Sequence, residues 1–483
     1  MTPPAETLVQ HQTTQPDPAQ PASPTTHARL SQLIHDHQTH QQPRLHKLWQ
    51  YYRNPDTTGK LAQTQGLPPR LATDPPSPTA DPTATRETVI ENDIAWRIHA
   101  LVDFMVGQPV RIRSQAQDRG LAQDIDAYLN DVFTEAGGPL FFQELILLGS
   151  IYGHVDILLD ASADHLDLAP IPATRGIPDP HRQNLRQLHT YLLHHRTPNP
   201  NHQETSAPRW RTLLSSLSPQ QPATHDEHTT LFTPELIARY HQPARTTTRR
   251  LLDAGPNPLG RIPVVHIQNL PQPLHWTGLS DVEPLIPLQD ELNTRLSDRA
   301  NRVTFQSFKM YLGKGIDSFN DRPVGPGQMW QTDNPDAAIL EFGGDADSPS
   351  ETAHIQDIRD ALDKTSGVTP VAAGLVRGKV GNLSSENAIR IVLLGLTAKA
   401  ERKRLLYGQG IARACELVLH AAHTFGQLHT EPADRRVQLL WPNPTPEPES
   451  TRLRNAQIKR ELGVPRDQVL RELGYLDTPA PEL

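Results

Sequence analysis

The chain has little cysteine, few aromatic residues and no excess of positive charge. Its 483 residues include one cysteine, Cys415, so no internal disulfide can form and a cysteine-based zinc cluster is excluded. Aromatic residues make up 5% and hydrophobic residues 36%. The shortfall is concentrated in residues 1–85, where Pro, Thr, Gln and His dominate and little apolar surface is available for burial. Positive charge is also scarce. With 46 Lys and Arg against 54 Asp and Glu, the formal charge is −8, which argues against tight nucleic-acid binding through many phosphate contacts. No stretch approaches the roughly 18 uninterrupted apolar residues of a membrane span. The best, FFQELILLGSIYGHVDILLD, is broken by Gln143, Glu144, His154 and Asp156. The first residues show no basic segment leading into an apolar one, so neither signal peptide nor anchor is expected, and the chain is expected to be soluble.

Catalytic motifs are missing as well. The glycine-rich stretch GLVRGKVGNLSSENAIRIVLLGL (374–396) invites a phosphate-loop reading, but a Walker loop needs G-x-x-x-x-G-K followed by Ser or Thr. Gly374 stands one residue too close to Gly378, and Val380 fills the hydroxyl position. There is no G-x-S-x-G elbow and no H-E-x-x-H. The 23 histidines, including the close trio His189, His194 and His195, are explained by composition, and no metal site or cofactor is expected. Neighbouring carboxylates such as Asp290 and Glu291 fall on a charged helix face and read as solvated surface.

What is present is a set of long helices in irregular alternation with strands, an α+β pattern. HARLSQLIHDHQTHQQPRLHKLWQYYRNP predicts one or two short surface helices ending at Trp49, Tyr51 and Tyr52. ETVIENDIAWRIHALVDFMVGQPVRIR predicts a helix with Ile90, Ile94, Ile98, Leu101, Val102 and Met105 on one face, then a strand. LAQDIDAYLNDVF and FFQELILLGS predict helices, HVDILLD and VVHI strands, and 173–260 a weak pattern interrupted by a polar insertion at 197–230. GLSDVEPLIPLQDELNTRLSDRANRVTFQSFKMYLGKG opens with a capping box, Ser280 with Glu283. It carries Leu285, Leu288, Leu292, Leu296, Ala300 and Val303 on one face and Asp290, Glu291, Arg295, Asp298, Arg299 and Arg302 on the other, which predicts a helix of about 30 residues and about 45 Å. A small β-rich unit at 313–350 and a second helix at ETAHIQDIRDALDKTSG complete a hairpin-like spike. A long helix from 384 to 425, bent at Gly408 or Gly410, then a strand, RRVQLLW, and two terminal helices are expected.

In this order the motifs resemble those of the portal, or head-to-tail connector, proteins of tailed bacteriophages and related prophages. LHKLWQYYRN is similar to the family's N-terminal aromatic signature, ENDIAWRIHALVDFMVGQPVRI to its helix ending in Gly-x-Pro-Val, and GSIYGHVDILLD to its Gly-x-x-Tyr strand. NPLGRIPVVHIQN with GLSDVEPLIPLQDELNTRLSDRAN forms the most specific block. GNLSSENAIRIVLLGLTAKAERKR and WPNPTPEPESTRLRNAQIKRELGVPRDQVLRELGY resemble the loop with its long helix and the C-terminal tail. The resemblance implies the portal fold: a flexible segment with short helices (1–85), an α/β wing (86–278), a long-helix stem (279–311 and 351–366), a small β-rich clip (312–350), a tunnel loop (367–383), a long helix and wing strand (384–445), and a short helical crown (446–483).

It further implies a ring, dodecameric in the virion, at one capsid vertex, assembled in the host cytoplasm and serving double-stranded DNA packaging and exit without chemistry of its own. The partners implied are other copies of the chain, the terminase large subunit, head-completion or adaptor proteins, major capsid and scaffolding proteins, and DNA held without regard to sequence; no membrane is implied. Gly374, Arg377, Gly378, Lys379, Gly381 and Asn382 would form the channel loop, with Arg377 and Lys379 toward phosphates. The charged stem residues would lie along the channel rods and Trp330 on the clip's partner-facing end. Two other readings stay open: a DNA-processing packaging enzyme, nuclease or ATPase, and a minor capsid or scaffold protein that forms no ring.

Overall fold

In the computed structural model, the described residues are 24–53, 89–162, 165–181, 184, 187–198, 225–244, 246, 248–307, 310–314, 335–336, 338–342, 349–373, 391–442, 449–473 and 475. The described residues open with α1 (Pro24–Asp36), a π-helical turn (His37–Gln41) and α2 (Gln42–Arg53). These are not loose surface helices. Leu30 and Ile34 are buried with Ile177, Leu192, Leu231 and Tyr240, and Leu45 and Leu48 belong to the main core. Trp49 stacks on Tyr152 at 6.3 Å between ring centroids, so the aromatic cluster expected at the surface packs against the body.

Helix α3 (Asp93–Val106) begins three residues later than Ile90, the first position of the apolar period. Asn92 caps it, its Oδ1 accepting from the Ala95 amide at 3.0 Å, and residues 89–92 are not helical. Strand β1 (Arg111–Ser114), α4 (Arg119–Glu135) and α5 (Pro139–Tyr152) follow. Gly153, at φ +92°, closes α5 in the left-handed region. A Cβ there would lie 2.5 Å from the Gly278 carbonyl oxygen, so glycine also permits the approach of the 278–282 segment.

The strands then divide into two sheets. β2 (His154–Ala161) is the centre of a three-stranded antiparallel sheet with β3 (Leu166–Pro172) and, further along the chain, Val264–Gln268. β4 (Gly176–Pro180), β5 (Leu188–Pro198), β6 (His225–Phe232), β7 (Leu236–Gln242) and β8 (Arg250–Pro256) form a five-stranded antiparallel meander, and Val264–Gln268 is β9. The meander occupies the stretch where periodicity was weak. The polar insertion expected at 197–230 takes in the end of β5 and most of β6, and its residues 199–224 lie outside the described residues.

After a 3-10 turn (Glu283–Leu285), α6 runs from Ile286 to Ser307. It is shorter than the 30 residues expected, about 33 Å at 1.5 Å per residue, because the first residues after Ser280 form the tighter turn and because Met310 and Tyr311, expected at its far end, belong to a strand. Ser280 Oγ does accept the predicted cap bonds, from the amides of Val282 (3.0 Å) and Glu283 (3.4 Å). β10 (Met310–Lys314) pairs antiparallel with β11 (Ala338–Phe342), and α7 (Pro349–Ser366) returns alongside α6. A 3-10 turn (Pro370–Ala373) precedes α8 (Leu394–Thr424), which passes unbroken through Gly408 and Gly410. Gly410 serves close packing instead of a bend: a Cβ there would sit 2.3 Å from Ile267 Cγ1 of β9. β12 (Val437–Leu440) pairs with β1, and α9 (Glu449–Glu461) and α10 (Arg466–Leu473) end the described chain. One core cluster joins α2 through α5, β2, β9, α6, α7 and α8.

Candidate functional site

The described polar chemistry concentrates where the α6–α7 rod meets the body. Along the inner face of α6, Gln289, Asn293 and Ser297 stand four residues apart and are buried. Residues 89–93 lie across them. The amides of Val89, Glu91 and Asp93 donate to Ser297 Oγ (2.9 Å), Asn293 Oδ1 (3.0 Å) and Gln289 Oε1 (3.0 Å), and Gln289 Nε2 donates back to the Glu91 carbonyl at 2.5 Å. Four helical residues rise about 6.0 Å and two extended residues about 6.7 Å, so the helix's side-chain acceptors fall nearly in step with alternate backbone donors. The helix thereby satisfies donors that burial would otherwise leave unpaired.

The same strap holds α7. Glu91 takes an ion pair from Arg359 at 2.6 Å. Arg97, 1% exposed, donates to the Asp93 carbonyl (2.5 Å) and to Asp363, and its guanidinium lies 4.3 Å from the Trp96 ring centre. One short segment therefore fixes both helices of the rod.

A second buried network ties the rod's base to α8. Asp281 pairs with Lys399 at 2.8 Å and with Lys403, and accepts from Asn269 Nδ2 at 3.0 Å. Lys403, fully buried, also donates to Ser150 Oγ at 2.7 Å, and Tyr407 donates to Asn269 Oδ1 at 3.1 Å. Burial pushes the Lys403 ammonium down to about 8, against the pull of the Asp281 carboxylate. Burial works to raise Asp281, but the two ammonium groups outweigh it and hold the carboxyl below its ordinary range. Lys399 reaches on to the Ser366 carbonyl at 2.7 Å. A Cβ on Gly395 would lie 3.4 Å from the Gly367 carbonyl oxygen, so the chain leaves α7 and enters α8 at nearly the same place.

The predicted rod charges divide into distinct environments. Asp290 accepts from Tyr51 at 2.8 Å, and burial raises its carboxyl above the ordinary range despite that bond. The solvated-surface reading therefore fails at Asp290. Arg295 bridges Glu291 (2.7 Å) and Asp298 (3.5 Å), Arg302 pairs with Glu351, and Arg299 is exposed. The predicted loop residues Gly374, Arg377, Gly378, Lys379, Gly381 and Asn382, and Trp330, lie outside the described residues.

The histidine trio does not converge. His194 is buried against Thr229 Oγ1 at 3.0 Å, His195 stacks on His228 at 5.1 Å, and His189 meets His181 at 5.9 Å. Among the described residues no group of three or more His, Cys, Asp or Glu is placed to hold a metal ion. No helix among them is long and apolar enough to cross a membrane.

Gln289, Asn293, Ser297, Asp281 and Lys403 were not singled out from sequence. The first three do leave a signal, uncharged polar residues at four-residue steps between the apolar and charged faces. The ion pair leaves none, its members being 122 residues apart. Among curated proteins, none matches the chain. The family pattern described as "Phage portal protein, SPP1 Gp6-like" matches residues 31–482. With nearly its whole length matched, rod, strap and long helix included, this chain belongs to that phage portal protein family.

Proposed function

We propose that copies of this chain close into a ring at one vertex of the capsid and form the channel through which double-stranded DNA is packaged and later released to the tail. The family match over 31–482 carries this reading. A head-to-tail interface that closes on rotation generates such a ring; twelve copies is the number the resemblance implies for the virion. The wing is assigned to 86–278 with the β12 strand, the stem to α6 and α7, the clip to 312–350, the tunnel loop to 367–383 and the crown to 446–483.

The base of the rod supports this division. A loop that touches moving DNA needs fixed ends, and Lys399, paired with Asp281 and reaching the Ser366 carbonyl, holds the chain before 367 to the helix that follows the loop. Charge supports it too. DNA must slide, so contacts have to be few and blind to sequence, since neutralising many phosphates would hold it. Arg295 and Arg302 are already paired with carboxylates, and the chain is net acidic.

Arg377 and Lys379 are the loop cations assigned to transient phosphate contact. Replacing both with alanine should leave the ring intact and change packaging or retention of DNA in an assembly assay; unaltered packaging would remove that role. Trp330 and its neighbours are assigned to terminase and adaptor docking. Deleting 318–342 should abolish motor binding while the wing stays folded, and retained binding contradicts the assignment. The ring carries no catalytic role here, and a purified ring that hydrolysed ATP or cut DNA would favour a packaging enzyme instead.

A further inference from the structure

A cavity of about 500 Å³ lies between the N-terminal helices and the body. Leu33, Leu45, Ala173, Ile177 and Pro178 supply apolar walls, the π-helical turn His37–Gln41 forms one side, and His154 and Trp276 line the inner end. Its volume falls within the roughly 300–1,000 Å³ of small-molecule pockets, which combine apolar walls with a few fixed polar groups. π-helical turns occur frequently at functional sites.

Two polar groups at the inner end have no partner. His154 is 5% exposed, neither of its ring nitrogens is hydrogen-bonded among the described residues, and its Nδ1 is sealed from solvent. Trp276 Nε1 is likewise sealed and unpartnered. Burial, reinforced by His266, holds the His154 imidazole neutral, down to about 3. A sealed N–H without an acceptor is rarer in proteins than a sealed acceptor without a donor, which puts the His154 proton on Nε2. The indole nitrogen can only donate. The sealed Nδ1 and the sealed Trp276 Nε1 are out of an occupant's reach, so the group His154 offers is the Nε2–H, and an occupant must bring an acceptor. Asp36 also lines the cavity and disfavours an anionic occupant, while the His154 N–H disfavours a cationic one.

We propose that this cavity binds a small uncharged molecule with an apolar body and a carbonyl oxygen that accepts from His154, fastening α1, the π-helical turn and α2 to β2 and β4. The site is independent of the channel assignment.

Calorimetric titration of the full chain with camphor, a compact neutral ketone, tests it at pH near 7.5. Saturable binding of one molecule per chain is expected, with slower amide exchange over 30–45. His154→Leu should weaken binding about fivefold or more, as loss of one hydrogen bond implies. Leu33→Trp, which enlarges a half-buried residue of the apolar wall, should abolish it, so the proposal can still be tested if the histidine variant folds poorly. No saturable binding, binding that both variants leave unchanged, or tighter binding of cyclohexane carboxylate than of camphor would each overturn the proposal.

Discussion

At the scale of single residues, the consequential groups are the buried charges at the rod's base. Asp281→Asn leaves the Lys403 ammonium, fully buried, without its carboxylate, and breaking such a pair costs about 3–5 kcal/mol. Denaturant unfolding at neutral pH should show that loss. Because the folded-state carboxyl titrates below its ordinary value, its stabilising contribution is complete above the unfolded value of about 4 and fades as pH falls further. The variant's stability should therefore be flatter than the wild type's below that point. His154 acts in a higher window. Held neutral down to about 3, it binds no proton where the unfolded chain does, so stability is complete above about pH 6.5 and declines as pH falls toward 3. His154→Leu should reduce the slope between about pH 6.5 and 4; His194, held down to about 4 by burial, retains part of it. An unchanged slope would contradict the buried neutral assignment. Such residues were hard to read from sequence. A lysine inside AKAERKRLLYG looks like any helix-surface cation, and only the fold reveals that one turn of that helix faces Ser150 and Asp281.

At the scale of elements, the strap 89–93 is the joint on which the rod depends. Replacing Gln289, Asn293 and Ser297 together with alanine removes the acceptors for the buried Asp93 amide and the half-buried Val89 and Glu91 amides, at about 1 kcal/mol for each bond lost. Hydrogen exchange should then accelerate at Val89, Glu91 and Asp93 while the β2–β3 amides keep their protection; equal acceleration everywhere would mean general destabilisation rather than a local joint. Gly410→Ala drives a methyl into Ile267, an overpacking that costs typically about 1–3 kcal/mol. Adding Ile267→Ala should recover part of that loss, measured as a double-mutant cycle.

Legibility followed local period. α4, α5, α7 and the rod helix could be read because three- and four-residue apolar steps survive in their sequences. Ile90 misled because its spacing fits the helix that Asn92 actually begins, and Gly410 because a glycine for close approach looks the same in sequence as a glycine for bending. The five-stranded meander was obscure for another reason. β8 is largely exposed and has no alternating burial, and the long polar β5–β6 connection separates strands that pair residue for residue.

At the scale of the whole molecule, family membership over 31–482 and a rod clamped at its base are the observations behind the proposal that the chain is one subunit of an annular channel. The loop and clip residues on which DNA and motor contacts are proposed could be named from sequence because motif order carried them, while their geometry lies outside the described residues. Exposed apolar positions along α8, Leu394 at 66% and Leu405 at 68%, are the kind of surface that a neighbouring copy would cover in a ring. The most direct measurement is electron microscopy of the purified full-length chain, alone and with its capsid partners. The account predicts closed rings with a central opening wide enough for duplex DNA; particles that stay single subunits in both preparations would contradict it.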